Sequence, residues 1–139
     1  MNGLLWAKIG ALLSVLYALT NVYQLLVSLE QIRERIQDFT KVAGDLENAN
    51  RLQAIRGLFY FGLPLAFMAV LMAAKVPFLF LALVAIKFWL SAGLGLWTEK
   101  RLLKGNTYGI TDHRLYRLDA FLNVAVAFLV MGLLAQLRY

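Results

Sequence analysis

Val84-Ala85-Ile86-Lys87-Phe88-Trp89-Leu90 sets one ammonium group inside a run that is otherwise apolar. The run sits within a longer stretch, 77–98, in which Lys87 is the lone charged residue. Coiled as an α-helix at about 1.5 Å per residue, that stretch is about 33 Å long. This matches the hydrocarbon thickness of a bilayer, about 30 Å. The sequence around Lys87 therefore reads as a membrane-crossing helix with a lysine near its middle.

Three further stretches qualify by the same measure, 4–29, 57–74 and 118–137. The 139 residues are 61% hydrophobic and 16% charged, and the mean hydropathy is +0.67. That is too apolar for a soluble domain of this length. The fold class expected is all-α, an integral membrane four-helix transmembrane bundle, with residues 1–139 forming a single polytopic domain and no repeat or linker. Met1 to Ala7 carries no charged side chain and no small-x-small site follows, so the first span reads as a membrane helix rather than a cleaved leader.

The net charge of +6 could point to nucleic acid, but its placement argues for topology. Arg33, Arg35, Lys41, Arg51 and Arg56 fall between spans one and two, and Lys100, Arg101, Lys104, Arg114 and Arg117 fall around the link between spans three and four. With four spans these two connections lie on the same side, and lysine and arginine in short connections mark the cytoplasmic side. Loops 30–56 and 99–117 are therefore expected in the cytoplasm and both termini outside, in a plasma (inner) membrane, with no nucleic-acid partner.

Apolar positions run on past the first span: Leu25, Leu29, Ile32, Ile36, Phe39, Ala43 and Leu46 recur at spacings of four and three. This is the seam of a helix packed along another helix. It predicts that helix 1 continues past Leu29 into water, stops near Gly44 with Asp45 as the next N-cap, and returns as an extension of helix 2. The outcome is a cytoplasmic helical hairpin over about 30–56, of coiled-coil character. Its face could be solvated through pairs such as Asp38 with Lys41, or Arg33, Arg35, Lys41 and Arg51 could dock a partner. Asp112 reads as the N-cap of the fourth span's helix.

A lysine near the midplane cannot reach water by snorkelling and would cost about 2.5–3.5 kcal/mol facing lipid, so it should face protein or water. On span one, Ser14, Tyr17, Asn21, Gln24 and Ser28 share one helix face. Ser91 lies one turn from Lys87, and Asp119 and Asn123 are i and i+4 on span four, flanked by the small residues Ala120 and Ala127. Depths counted from the span ends place Asp119 shallower than Lys87, so that a direct pair needs a helix shift or a bridging water. Asn123 and Asn21 are the expected direct acceptors. The candidate site is thus a polar seam of Lys87, Asn21, Asn123, Asp119, Tyr17, Gln24 and Ser91.

One histidine and no cysteine leave no set of residues for a structural zinc or a bis-histidine haem, so no metal or cofactor is expected. No phosphate loop, nucleophile elbow or His-Glu-x-x-His is present. The leading functional expectation is a non-enzymatic channel or transport component, a homo-oligomer or part of a larger membrane complex, with the seam receiving a small anion or lipophilic ligand. The alternative is a structural or adaptor subunit whose hairpin holds a partner while the seam cements the helices. A cofactor-free enzyme acting on a lipophilic substrate comes third.

Overall fold

The computed structural model describes residues 2–44 and 46–137. They form five helices: α1 (Asn2–Leu26), α2 (Leu29–Ala43), α3 (Leu46–Ala73), α4 (Phe78–Leu103) and α5 (Ile110–Gln136). No strand occurs among the described residues. Helices α1, α4, α5 and the stretch of α3 from Asn50 to Ala73 are long and apolar enough to cross a bilayer. The architecture is that of a helical membrane protein.

The first helix does not run on as a stalk. It ends at Leu26, and Ser28 adopts extended backbone with φ −76° and ψ 160°. The Ser28 hydroxyl accepts from the Gln31 amide at 3.2 Å, and the Gln31 side-chain oxygen accepts from the Ser28 amide at 3.1 Å. That reciprocal box satisfies two amides a new helix would otherwise leave bare, so a start at Leu29 is favoured over continuation. The apolar rhythm passes through the break because each helix keeps its own inward face. α2 closes at Gly44, whose φ of +52° suits glycine. The proposed cap at Asp45 lies outside the described residues. Asp38 and Lys41 are both exposed, and among the described residues no ion pair joins them. The apolar residues of α2, Leu29, Ile32, Ile36 and Phe39, are half-buried.

α3 passes through Pro64 without interruption and stops in a turn at Ala74–Lys75. The Val76 amide donates to the Leu71 carbonyl at 3.1 Å and the Lys75 amide to Met72 at 2.9 Å. Lys75 takes the left-handed conformation with φ +58°. This is the Schellman way of ending a helix, and its usual apolar clasp is present because Val76 and Leu71 are both buried in the core. Asp112 is not the N-cap of α5. The helix begins two residues earlier, and Asp112 reaches back from its third position to accept the Gly109 amide at 2.9 Å. Its other oxygen accepts from Arg101 at 2.7 Å, which ties the end of α4 to the start of α5.

Packing is uneven. α1 and α5 approach most closely, because their facing residues are small: Ala7, Gly10, Ser14, Ala18 and Asn21 on one side, Ala120, Asn123 and Ala127 on the other. α4 lies mainly on α3 and touches α5 sparsely. Phe67, Leu71, Ala74, Val76, Leu81, Val84, Phe88, Val130 and Leu134 fill an apolar core toward the end that holds the 74–77 turn. In lipid such contacts act through packing rather than water exclusion.

Gly10 sits where α1 approaches α5 closely. A Cβ there would lie 3.1 Å from Leu134 Cδ1 and 3.6 Å from both Leu71 and Val70. Gly10→Val should therefore lower the thermal unfolding midpoint in detergent, by about 1–3 kcal/mol of overpacking. Gly62→Ala, where nothing lies within 4 Å, should not show that loss.

Candidate functional site

Lys87 extends from α4 toward α5 and finds an acceptor for each of its three N–H bonds. Its ammonium donates to Asp119 Oδ1 at 2.6 Å, to Asn123 Oδ1 at 2.6 Å and to Ser91 Oγ. Ser91 in turn lies 2.8 Å from Asp119 Oδ1 and 3.2 Å from Asn123 Oδ1. The Asn123 amide nitrogen donates to Asn21 Oδ1 at 2.9 Å and, more weakly, to Asp119 Oδ2 at 3.3 Å. The Asn21 amide nitrogen closes the chain on the Tyr17 carbonyl at 2.8 Å. Three helices thus contribute to one hydrogen-bonded network, with the cation supplied by α4 and the anion by α5.

Two expectations change here. Asp119 pairs directly with Lys87, with no intervening water needed. Depth counting failed because α4 runs on to Leu103 and α5 starts at Ile110, so apolar stretch ends were poor rulers for helix ends. Asn21 is not a direct acceptor of the ammonium, and reaches it through Asn123. The remaining members divide. Tyr17 lends its carbonyl and sets its ring edge-on against Phe88 with centroids 5.5 Å apart. Gln24 is half-buried one turn further along α1 and takes no part in the network's hydrogen bonds. Ser28, on the same sequence line, is spent on the cap of α2.

Burial gives these bonds their weight. The Lys87 side chain is 12% exposed and that of Asp119 22%. Asn21 and Asn123 are buried outright. In such surroundings a charge is tolerated only when paired and hydrogen-bonded, and breaking one partner leaves the other stranded.

A second ion pair escaped the sequence reading. Glu99 of α4 is buried and accepts at Oε1 from the Arg56 guanidinium at 2.7 Å and from the Tyr60 hydroxyl at 3.0 Å, both on α3. Its Oε2 is buried without a hydrogen-bond partner among the described residues. Tyr60 fits because α4 carries glycine opposite it: a Cβ at Gly95 would lie 3.0 Å from the Tyr60 ring. The signal was present as two i, i+4 pairs, Arg56 with Tyr60 and Gly95 with Glu99. Only their antiparallel register makes it visible. The Arg56 guanidinium also stands 5.1 Å over the Phe39 ring, so the same arginine links α2 to this pair.

The hairpin cations are partly engaged within the chain. Arg33 donates to the Tyr108 carbonyl at 3.1 Å, and Arg35 donates to the Tyr23 hydroxyl at 2.6 Å. Lys41 and Arg51 are exposed. Tyr108 is buried in the α4–α5 connection, edge-on to His113, and its hydroxyl has no hydrogen-bond partner among the described residues. Burial first, then the neighbouring Tyr116 and Asp112, hold its phenol well above the ordinary range. Among the described residues no three His, Asp or Glu side chains gather as a metal would require.

The fold and these contacts define the class, a polytopic helical membrane protein with a lysine-centred polar network. No family model, curated protein or solved structure matches the chain.

Lys87→Met should destabilise the protein by about 3–5 kcal/mol, because it leaves Asp119 charged and unpaired. The double variant Lys87→Met/Asp119→Leu should recover most of that loss. Chemical unfolding in detergent on the two single variants and the double variant measures the coupling.

Proposed function

We propose that this chain is a non-enzymatic subunit of a membrane assembly, in which the Lys87 network locks the bundle and the basic end presents a surface to a partner. The observation that carries this reading is the saturation of Lys87. Its three donors are taken by Asp119, Asn123 and Ser91, and its charge is cancelled in place. A resident anion or lipophilic ligand would need one of those donors free. Two recesses in the protein lie elsewhere. One is an open apolar groove lined by Ala82, Ala85, Ile86, Trp89 and Leu90, the other a crevice of about 100 Å³ between α3 and α4 at Tyr60, Pro64, Met68 and Trp89.

In this reading the loops 30–56 and 99–117 face the cytoplasm of a plasma membrane, following the lysine and arginine count. Exposed cations there, Lys41, Arg51, Lys100, Lys104, Arg114 and Arg117, are the surface offered to a partner protein. Arg33 and Arg35 position α2 against the loop and against α1.

A channel or transport component is the second reading. It is favoured by the use of a full ion pair, where amides and hydroxyls alone would hold helices together, and by the partial exposure of Asp119. Copies would associate to enclose a path, since four spans leave little room for an alternating-access machine.

Mass measurement in nanodiscs combined with anion and proton flux in liposomes separates the two. The subunit reading expects no flux above empty vesicles, with wild type and Lys87→Gln alike. Flux that Lys87→Gln abolishes in a folded protein would overturn it in favour of transport.

A further inference from the structure

The cations of the two basic connections are balanced differently. Residues 30–56 hold five acids and five bases, whereas 99–117 sets Lys100, Arg101, Lys104, Arg114 and Arg117 against Glu99 and Asp112. Both of those acids are taken, Glu99 by Arg56 and Asp112 by Arg101. Lys100 and Lys104 are exposed and join no ion pair among the described residues. Their depth follows from the length of α4, whose 26 residues measure about 39 Å against about 30 Å of hydrocarbon. With the start of α4 at one boundary, the other falls near Trp97. Lys100 and Lys104 then stand about 5 Å and about 10 Å beyond it, at the level of lipid headgroups.

The face of α4 below these lysines is apolar and recessed. At 3.6 residues per turn, Ile86, Gly93, Trp97 and Lys104 fall within about 40° of one line along the helix, with Leu90 and Lys100 about 40° to either side. All six are exposed. The open groove of Ala82, Ala85, Ile86, Trp89 and Leu90 lies deeper on that face. Its Trp89 wall is steadied by Phe61 of α3, with ring centroids 5.7 Å apart. Gly93 leaves the helix surface bare between groove and lysines, with nothing of the protein within 4 Å of where its Cβ would stand. Trp97 is held at the boundary by the Arg101 guanidinium, 4.6 Å over its ring. The face therefore changes from apolar recess to free cations at the depth where a phospholipid changes from chain to headgroup.

We propose that this face of α4 is a binding site for an anionic phospholipid: its phosphate lies between Lys100 and Lys104, and one acyl chain runs over Gly93 into the groove beside Trp89 and Leu90. Leu90 is about 15 Å from Lys100 along the axis, the depth of one leaflet's chains. A lysine near the surface of an anionic leaflet gains from its negative potential, and two lysines on one phosphate gain twice. The inference goes beyond the docking role of the basic end and does not rest on it. The lipid stands beside the bundle and a docked protein above it, so both occupants can be seated at once. A second copy of the chain suits the face less well. Copies in one bilayer share an orientation, so a symmetric contact here would set Lys100 and Lys104 against their own counterparts, and like charges repel.

Native mass spectrometry of the full chain in detergent, titrated with phosphatidylglycerol or with phosphatidylcholine of the same acyl chains, reads retention of each lipid. Wild type should hold one phosphatidylglycerol about thirtyfold more tightly than phosphatidylcholine. Lys100→Gln/Lys104→Gln, at two exposed positions, should bring the two lipids level. Gly93→Leu replaces a helix-interior glycine where the side chain has open space, so it keeps the fold. It should weaken retention of both lipids several-fold and leave the preference for phosphatidylglycerol in place. Equal retention of the two lipids by wild type, or a preference that survives loss of both lysines, overturns the headgroup site. A Gly93→Leu chain that holds both lipids as wild type does overturns the acyl path, and the site as proposed with it. A lipid-free dimer that Gly93→Leu converts to monomer assigns the face to a second copy and likewise overturns the lipid site.

Discussion

A positive charge on the side chain of a membrane-crossing helix must be answered within the protein, because hydrocarbon cannot solvate it. In this chain the answer is a carboxylate, an amide oxygen and a hydroxyl gathered around Lys87 from two helices, with a third helix holding the amide in place. Much of the bundle's arrangement follows from that requirement. α5 must bring Asp119 and Asn123 to face α4, and α1 must come close enough for Asn21 to orient Asn123. The small residues along α1 and α5 permit that approach.

α4 stands out as the helix held by charge on two sides. Lys87 binds it to α5, and three turns further on Glu99 binds it to α3 through Arg56 and Tyr60. The two pairs have opposite polarity, so α4 contributes a cation to one neighbour and an anion to the other. By contrast, α1 and α5 are joined by shape, through glycine, alanine and serine at the contact. The bundle thus combines one pair of helices packed closely through small residues with a helix tied to both its neighbours by ion pairs. The apolar core beside the 74–77 turn lies at the opposite end from α2 and the α4–α5 connection and anchors the helices there.

How much was legible in advance depended on the length scale of the signal. The four spans announced themselves because hydrophobic length is a local, additive property, and the members of the network announced themselves as polar residues in apolar company. The break at Ser28 was legible as a serine with glutamine three residues later, but the apolar seam running through it read as a continuous helix. The start of α5 was misplaced for a similar reason: Ile110 to Arg117 is mixed in polarity, so a hydropathy boundary near residue 118 fell eight residues inside the helix. That error alone moved Asp119 away from Lys87 on paper. Glu99 was overlooked because its partners, Arg56 and Tyr60, are about 40 residues away in the chain.

The amino-acid sequence by itself determined that this is an all-helical membrane protein with four spans, and that a buried lysine would need polar partners, since both follow from the energy of placing particular side chains in an apolar medium. Which partners it takes was decided by tertiary structure. Register and azimuth between helices are set by how small and large side chains interlock across an interface, and no single helix contains that information. The direct pairing of Lys87 with Asp119, the relay through Asn123 to Asn21 and the second pair at Glu99 all depend on that interlocking.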